Sequence, residues 1–329
     1  MAVNPYLGHP SQLCGVEEMR LVGGKGDGMR LFQIRNAAGL MVTVNADRCA
    51  DIPRISFKGD NIGFFSPCGY VAPAYYDKDG LQFLKSFTAG FMTTCGFANA
   101  GGPTDDGGEV SGLHGTIGNT PCDKIWWTED DDAFQIHAEV SDSTIFGRKL
   151  VLRRTLTVGK WENRLTVSDT VENEGDAVSP LMLLYHVNMG YPLLSETAVF
   201  KIPSSSFIPA TQHAADGLAE WDQFPAPIAN FEEQCYFHSF DGMVGASIYN
   251  PDIKKGLEIC GETDTLDALT EWKMPGVRDY VLGLEPGNCH PIGRGAAREQ
   301  GKLKFIEPGQ KQTFRFSVRF FEEPLDAKA

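Results

Sequence analysis

Apolar and polar residues alternate with a period of two along much of this chain. Phe134, Ile136, Ala138 and Val140 alternate with Gln135, His137 and Glu139. Leu165, Val167 and Val171 alternate with Arg164, Thr166, Ser168, Thr170 and Glu172. Near the C-terminus Phe314, Phe316, Val318 and Phe320 alternate with Arg315, Ser317 and Arg319. Successive side chains of a β-strand point to opposite faces, so each run predicts a half-buried strand. The run RKLVLRRTLTV at 148–158 is also strand-like, and 159–163 supplies a short turn, so 148–172 reads as a hairpin. Residues 30–36 and 40–45 make a similar pair. The glycines of VGGKGDGM, 22–29, lie between two apolar runs without dinucleotide-binding spacing, which predicts a hairpin turn.

Helical signals are few. Leu81, Leu84 and Phe87 predict a turn or two, and Leu266, Leu269 and Trp272 have helical spacing over a short window. No internal repeat, low-complexity tract or linker interrupts the chain. The expectation is an all-β fold, one large antiparallel β-sandwich over residues 1–329, with 1–29 forming an N-terminal extension and the first hairpin. Long loops are expected near 66–80, 98–112 and 202–230.

Composition narrows the function classes. With 42% hydrophobic and 22% charged residues among 329, the chain has the apolar content that a disordered protein lacks. Its 36 Gly and 19 Pro fit many turns between short strands. A formal charge of −14 without any Lys/Arg run disfavours nucleic acid and anionic membrane as partners. No apolar stretch approaches the roughly 18 residues of a membrane-spanning helix, and the first residues lack the pattern of a secretory signal, so a cytoplasmic location is expected. Cysteines 14, 49, 68, 95, 122, 235, 260 and 289 show no paired spacing and read as free thiols in a reducing compartment.

Several chemistries lack their motifs. There is no Walker A loop and no nucleophile elbow. The Gly-rich loop GGPTDDGG at 101–108 carries Asp105 and Asp106, which would repel a phosphate. Cys235 and His238 are three residues apart and Cys289 adjoins His290, so on strands each pair would face opposite sides; no metal is expected. His137 reads as a solvated surface histidine, and His9 and His213 as loop residues.

Three segments carry candidate chemistry. In SGLHGTIGN, 111–119, His114 sits between Gly112 and Gly115, which admit a ligand or backbone closely, or simply shape a tight turn. In LMLLYHVNMGYPLL, 181–194, His186 and Asn188 share one face of an apolar strand, as a site or as a hydrogen-bonded core pair. In DYVLGLEPGN, 279–288, Glu285 ends an apolar strand and shares a face with Gly283, which leaves room for a ligand; a solvated loop glutamate is the alternative.

Taken together, SGLHGT, LLYHVNMG and VLGLEPGN resemble the motifs of the aldose 1-epimerase (galactose mutarotase-like) superfamily in order and spacing, and FIEPGQKQTFRFSV resembles its closing turn and last strand. The resemblance covers about residues 30–320 and implies a galactose mutarotase-like supersandwich, an isomerase of carbohydrate metabolism and a small-molecule sugar as partner. Departures mark a divergent branch: the family's H-x-Y-F-N-L is H-V-N-M-G here, and Thr116 replaces its second glycine after the first histidine. The family's upstream arginine has its nearest counterparts in Lys85 and Arg48, and its hydroxyl-binding aspartate has no evident match.

The resemblance implies mutarotation by acid–base ring opening and closure, without metal or redox cofactor. Glu285 is expected as base and His186 as acid, on opposite sides of the ring. His114, Lys85 and Arg48 are candidates for holding sugar oxygens, Asn188 for orienting His186 or binding a hydroxyl, and Trp272 for stacking on the sugar or for packing in the core. A non-catalytic carbohydrate-binding protein on the same fold and a different sugar isomerase or epimerase remain as alternatives.

Overall fold

The computed structural model describes residues 5–324. Two large sheets dominate, and every strand pairing within them is antiparallel. The larger has eleven strands. In spatial order its main strands are Gly15–Arg20, Arg30–Arg35, Leu40–Asn45, Asp51–Phe57, Met92–Phe97, Met182–Met189, Tyr280–Gly287, Ala268–Pro275, Gln234–Ser239 and Ser206–Pro209. The second, of eight strands, runs Lys124–Glu129, Ala133–Ser143, Lys149–Gly159, Arg164–Asn173, Lys311–Phe321, Lys255–Gly261, Gly245–Asn250 and Val199–Lys201. This is the expected all-β sandwich.

The alternating runs became strands with alternating burial; in Ala133–Ser143 every second residue from Phe134 is buried. The 148–172 run is the hairpin Lys149–Gly159 with Arg164–Asn173. Residues 22–29 turn between Gly15–Arg20 and Arg30–Arg35, the first hairpin. The helical spacing at 266–272 is overturned: Ala268–Pro275 is a strand paired on both sides. Three apolar residues fit either period in so short a window, and the two flanking ladders decide. The 81–87 signal reduces to a 3-10 turn, Gln82–Lys85. The loop regions hold small elements: a hairpin of Thr104–Asp106 with Glu109–Ser111, and the helix Gln212–Asp216, which takes His213 out of the loop.

The core fills the space between the sheets. Leu183, Tyr185, Val187, Leu282 and Leu284 on one side meet Ile136, Leu152, Leu156, Val167, Phe316 and Val318 on the other, in a single buried cluster. Burying each such side chain stabilises the fold by roughly 1.5–3 kcal/mol. One charged group bolts the layers together: the fully buried Arg154 pairs with Asp169 at 2.7 Å and Asp51 at 2.9 Å, and Tyr185 donates to Asp169. Because side chains alternate, the residues between Leu183, Tyr185 and Val187 face away from this core. There a second apolar cluster, with Phe83, Phe87, Cys95, Met182, Leu184 and Ala297, covers the outer face of the large sheet.

Candidate active site

Strand register brings the chemistry into one row. Leu184 pairs with Gly287 and Asn188 with Gly283, so His186 comes opposite Glu285 between them. Glu285 lies opposite Thr270, Thr270 opposite Phe237, and His186 opposite Thr93. Directly opposed residues share a face. Phe237, Thr270, Glu285, His186 and Thr93 therefore cross five strands side by side on the outer face.

Glu285 is 1% and His186 5% exposed. His186 Nδ1 lies 3.0 Å from Glu285 Oε1. It also lies 2.6 Å from Asn188 Oδ1, and that contact is the hydrogen bond; Oε1 has no hydrogen-bond partner among the described residues. The Asn188 amide is itself fixed, its nitrogen donating to the carbonyls of His186 at 2.9 Å and Gly90 at 3.2 Å. An amide oxygen only accepts, so the network assigns the His186 proton to Nδ1 and leaves Nε2 a lone pair. The expected carboxyl and imidazole thus adjoin each other along an edge, instead of facing across a ring.

Gly283 shapes this contact. A Cβ there would lie 2.4 Å from Glu285 Oε1 and 3.1 Å from Trp272 Cβ, so the carboxyl folds back over the space that glycine vacates. His114 reaches the same place from a loop pinned by its own backbone. Its N–H donates to Gly101 O at 2.9 Å, and its carbonyl accepts from Gly96 N–H at 3.0 Å. The flanking glycines serve backbone contact: Cβ atoms at Gly112 and Gly115 would lie 2.1 Å from Lys78 O and 2.5 Å from Gly96 O. His114 Nδ1 accepts from Gly101 N–H at 3.3 Å, so its neutral ring carries the proton on Nε2. Its ring stands edge-on to that of His186, centroids 5.6 Å apart.

Burial sets the protonation states. It pushes His114 down to about 4 and, with the His114 ring adjacent, His186 down to about 3. Burial, and secondarily the charge of Glu233, holds the Glu285 carboxyl well above the usual range. The resting site is a protonated carboxyl beside two neutral imidazoles, one presenting a lone pair and the other an N–H.

The walls are aromatic. Phe87 and Trp272 stand edge-on to His186, centroids 5.1 and 5.0 Å away, and Phe83 is tilted against His114 at 5.4 Å. The Trp272 indole donates to Glu233 Oε2 at 2.7 Å. His114, His186, Asn188, Glu285 and Trp272 are therefore brought together. Arg48 is not: only 4% exposed, it donates to the carbonyls of Val71, Ser86 and Gly118 and to Asn119 Oδ1, which ties loops together away from the row. Lys85 is exposed at the end of the Gln82–Lys85 turn, outside the row. Cys235 and His238 face opposite sides, Cys235 pairing with Trp272 and His238 bonding Glu271 at 3.1 Å within the core.

Sequence reasoning missed Thr270, Phe83, Phe87 and Glu233. The register of Thr270 opposite Glu285 needed a strand where helical spacing was read, and Phe83, Phe87 and Glu233 arrive from loops. It also missed the clamp behind His114, where Asp106 of the Gly-rich hairpin pairs with Arg294 at 2.8 Å and with Arg298 at 2.5 Å. Two cavities lie elsewhere. One of about 480 Å³ is lined by Tyr76–Asp79 and Thr116, and one of about 650 Å³ by Phe224, Gln234 and Lys273. The row is the candidate site because Glu285 Oε1 and Thr270 Oγ1, both buried and without hydrogen-bond partners among the described residues, lie there beside His186, and cavity size alone carries no reactivity.

A family profile described as "Domain of unknown function (DUF4432)" matches residues 26–320. No curated protein matches the chain. Among solved structures, a candidate aldose 1-epimerase from Klebsiella pneumoniae subsp. pneumoniae superposes with a TM-score of 0.87 at 28% identity, over 94% of this chain and 83% of the other. A galactose mutarotase-like protein from Clostridium acetobutylicum gives 0.67 at 13% identity, over 94% and 99%. A galactose 1-epimerase from Lactobacillus acidophilus gives 0.66 at 14% identity, over 94% and 100%. The fold is galactose mutarotase-like. No helix among the described residues is long and apolar enough to cross a membrane.

Proposed function

The chain belongs to the DUF4432 family, and from that premise and the geometry of its row we propose that it is an isomerase of the aldose 1-epimerase type, interconverting the anomers of a free sugar. The observation that carries this reading is the buried Glu285 carboxyl 3.0 Å from His186 Nδ1, with Oε1 lacking a hydrogen-bond partner among the described residues. A buried polar atom left unpaired costs about 1–3 kcal/mol, a cost that a bound sugar oxygen would remove.

The anomeric hydroxyl and the ring oxygen are bonded to the same carbon, so two groups side by side can serve both. Opening starts once the Glu285 proton has passed to His186: the Glu285 carboxylate then takes the proton of the anomeric hydroxyl, the bond from the anomeric carbon to the ring oxygen breaks, and the His186 imidazolium protonates the ring oxygen. The product is an open-chain aldehyde beside a protonated carboxyl and a neutral imidazole. Those are the protonation states that burial favours in the resting site. After rotation about the first carbon–carbon bond, Glu285 returns its proton to the aldehyde oxygen. His186 takes the proton of the chain hydroxyl as it attacks, which closes the other face. Each group is acid once and base once, the ordinary behaviour of a general acid–base pair. The Nε2–H of His114 would donate to an oxygen on which charge develops. The aromatic walls suit the C–H faces of a sugar.

Anomer-resolved NMR across a panel of free aldoses tests this reading. Exchange faster than the uncatalysed rate for at least one sugar is expected. Binding without acceleration would instead make the protein a sugar-binding module on this fold.

A further inference from the structure

Thr270 is buried at 1% exposure, and its Oγ1 has no hydrogen-bond partner among the described residues. It sits directly opposite Glu285, whose Oε1 is unpartnered as well. Two neighbouring polar atoms on one face thus lack the same thing. Valine would fill the space of threonine without an unsatisfied hydroxyl, so packing gives no reason for the oxygen. Nor does Thr270 bond to Glu285, whose carboxyl folds the other way, over Gly283.

The order of the row says what belongs there. His186, Glu285 and Thr270 follow one another on adjacent strands, which are spaced by roughly 4.8 Å. In a sugar the ring oxygen, the anomeric carbon with its hydroxyl, and the second carbon with its hydroxyl follow in the same order. With the ring oxygen at His186 and the anomeric hydroxyl at Glu285, the next oxygen along is the 2-hydroxyl. We infer that Thr270 is a specificity-determining residue that hydrogen-bonds the 2-hydroxyl of the substrate. This rests on the acid–base reading of Glu285 and His186. It goes beyond it by making the substrate an aldose with a free 2-hydroxyl.

The test compares kcat/KM for glucose, 2-deoxyglucose and 6-deoxyglucose in the full-length protein, Thr270→Val and Thr270→Ser, with thermal melts confirming folded samples. A site built around one hydroxyl should favour glucose over 2-deoxyglucose by on the order of tenfold. Thr270→Val should bring that ratio close to one, and Thr270→Ser, which restores the hydroxyl, should keep it. An unchanged ratio in Thr270→Val would overturn the assignment, as would a collapse confined to 6-deoxyglucose. If the wild type exchanges none of these sugars, saturation-transfer NMR of their binding separates the two ideas. Discrimination at the second carbon that Thr270→Val removes would uphold Thr270 and overturn the acid–base reading; absence of binding would overturn both.

Discussion

Asn188 dictates the tautomer of His186. Its Oδ1 accepts from His186 Nδ1 at 2.6 Å, and its amide cannot flip without turning its donor away from the carbonyls of His186 and Gly90. The ring is thereby held with Nε2 free for chemistry. Asn188→Ala should lower kcat by about 10–100-fold while KM changes little, since the ring stays but its orientation and tautomer are released. A KM effect with kcat intact would mean that Asn188 binds sugar directly.

Glu285→Gln keeps the shape of the resting carboxyl and removes its proton exchange. Anomer exchange should fall by about 10²–10⁴-fold while sugar binding is largely retained. Because the two groups act on the same step, Glu285→Gln combined with His186→Asn should be little worse than either alone. NMR exchange rates for the three variants decide; multiplicative losses would show that the groups work independently.

The same substitution has a pH-dependent effect on stability. The folded Glu285 carboxyl titrates well above its unfolded value because burial penalises the charge. Its contribution is therefore fully present below the unfolded pKa, near 4.5, and is lost as pH rises through the folded value. Glutamine cannot ionise. Glu285→Gln should therefore melt above wild type at pH 8, with the gap narrowing toward pH 4.5. Thermal melts at the two pH values check the sign, and a gap independent of pH would refute it.

Arg48→Ala separates structure from recognition. The guanidinium joins four segments through buried donors, so its loss should cost roughly 3–5 kcal/mol, seen as a lower midpoint in urea. Activity per folded molecule should stay close to wild type with every sugar tested. A change in sugar preference at unchanged stability would return Arg48 to the site.

What the sequence disclosed and what it hid differ in range. Period two placed the strands, and because the period is strict it also placed His186 with Asn188, and Glu285 with Gly283, on the same faces. Arg48 looked available because its partners, Val71, Ser86, Gly118 and Asn119, are carbonyls and an amide from distant loops, and backbone acceptors leave no mark in a sequence. Trp272 was found, but in a window whose period was ambiguous, so its neighbour Thr270 and the whole cross-strand row stayed hidden. Registers between strands far apart in the chain set that row, and no local pattern encodes them.

Trp272 has one more consequence. Of the five tryptophans, it is the indole that stands edge-on to the His186 ring, at 5.0 Å, while handing its N–H to Glu233. A protonated imidazole quenches a neighbouring indole far more than a neutral one does, and a sugar entering the row must disturb that contact. The molecule thus contains an unlabelled optical probe beside its candidate site. If the proposed chemistry holds, steady-state emission should change when a sugar binds, and stopped-flow emission should report the proton as it arrives on His186.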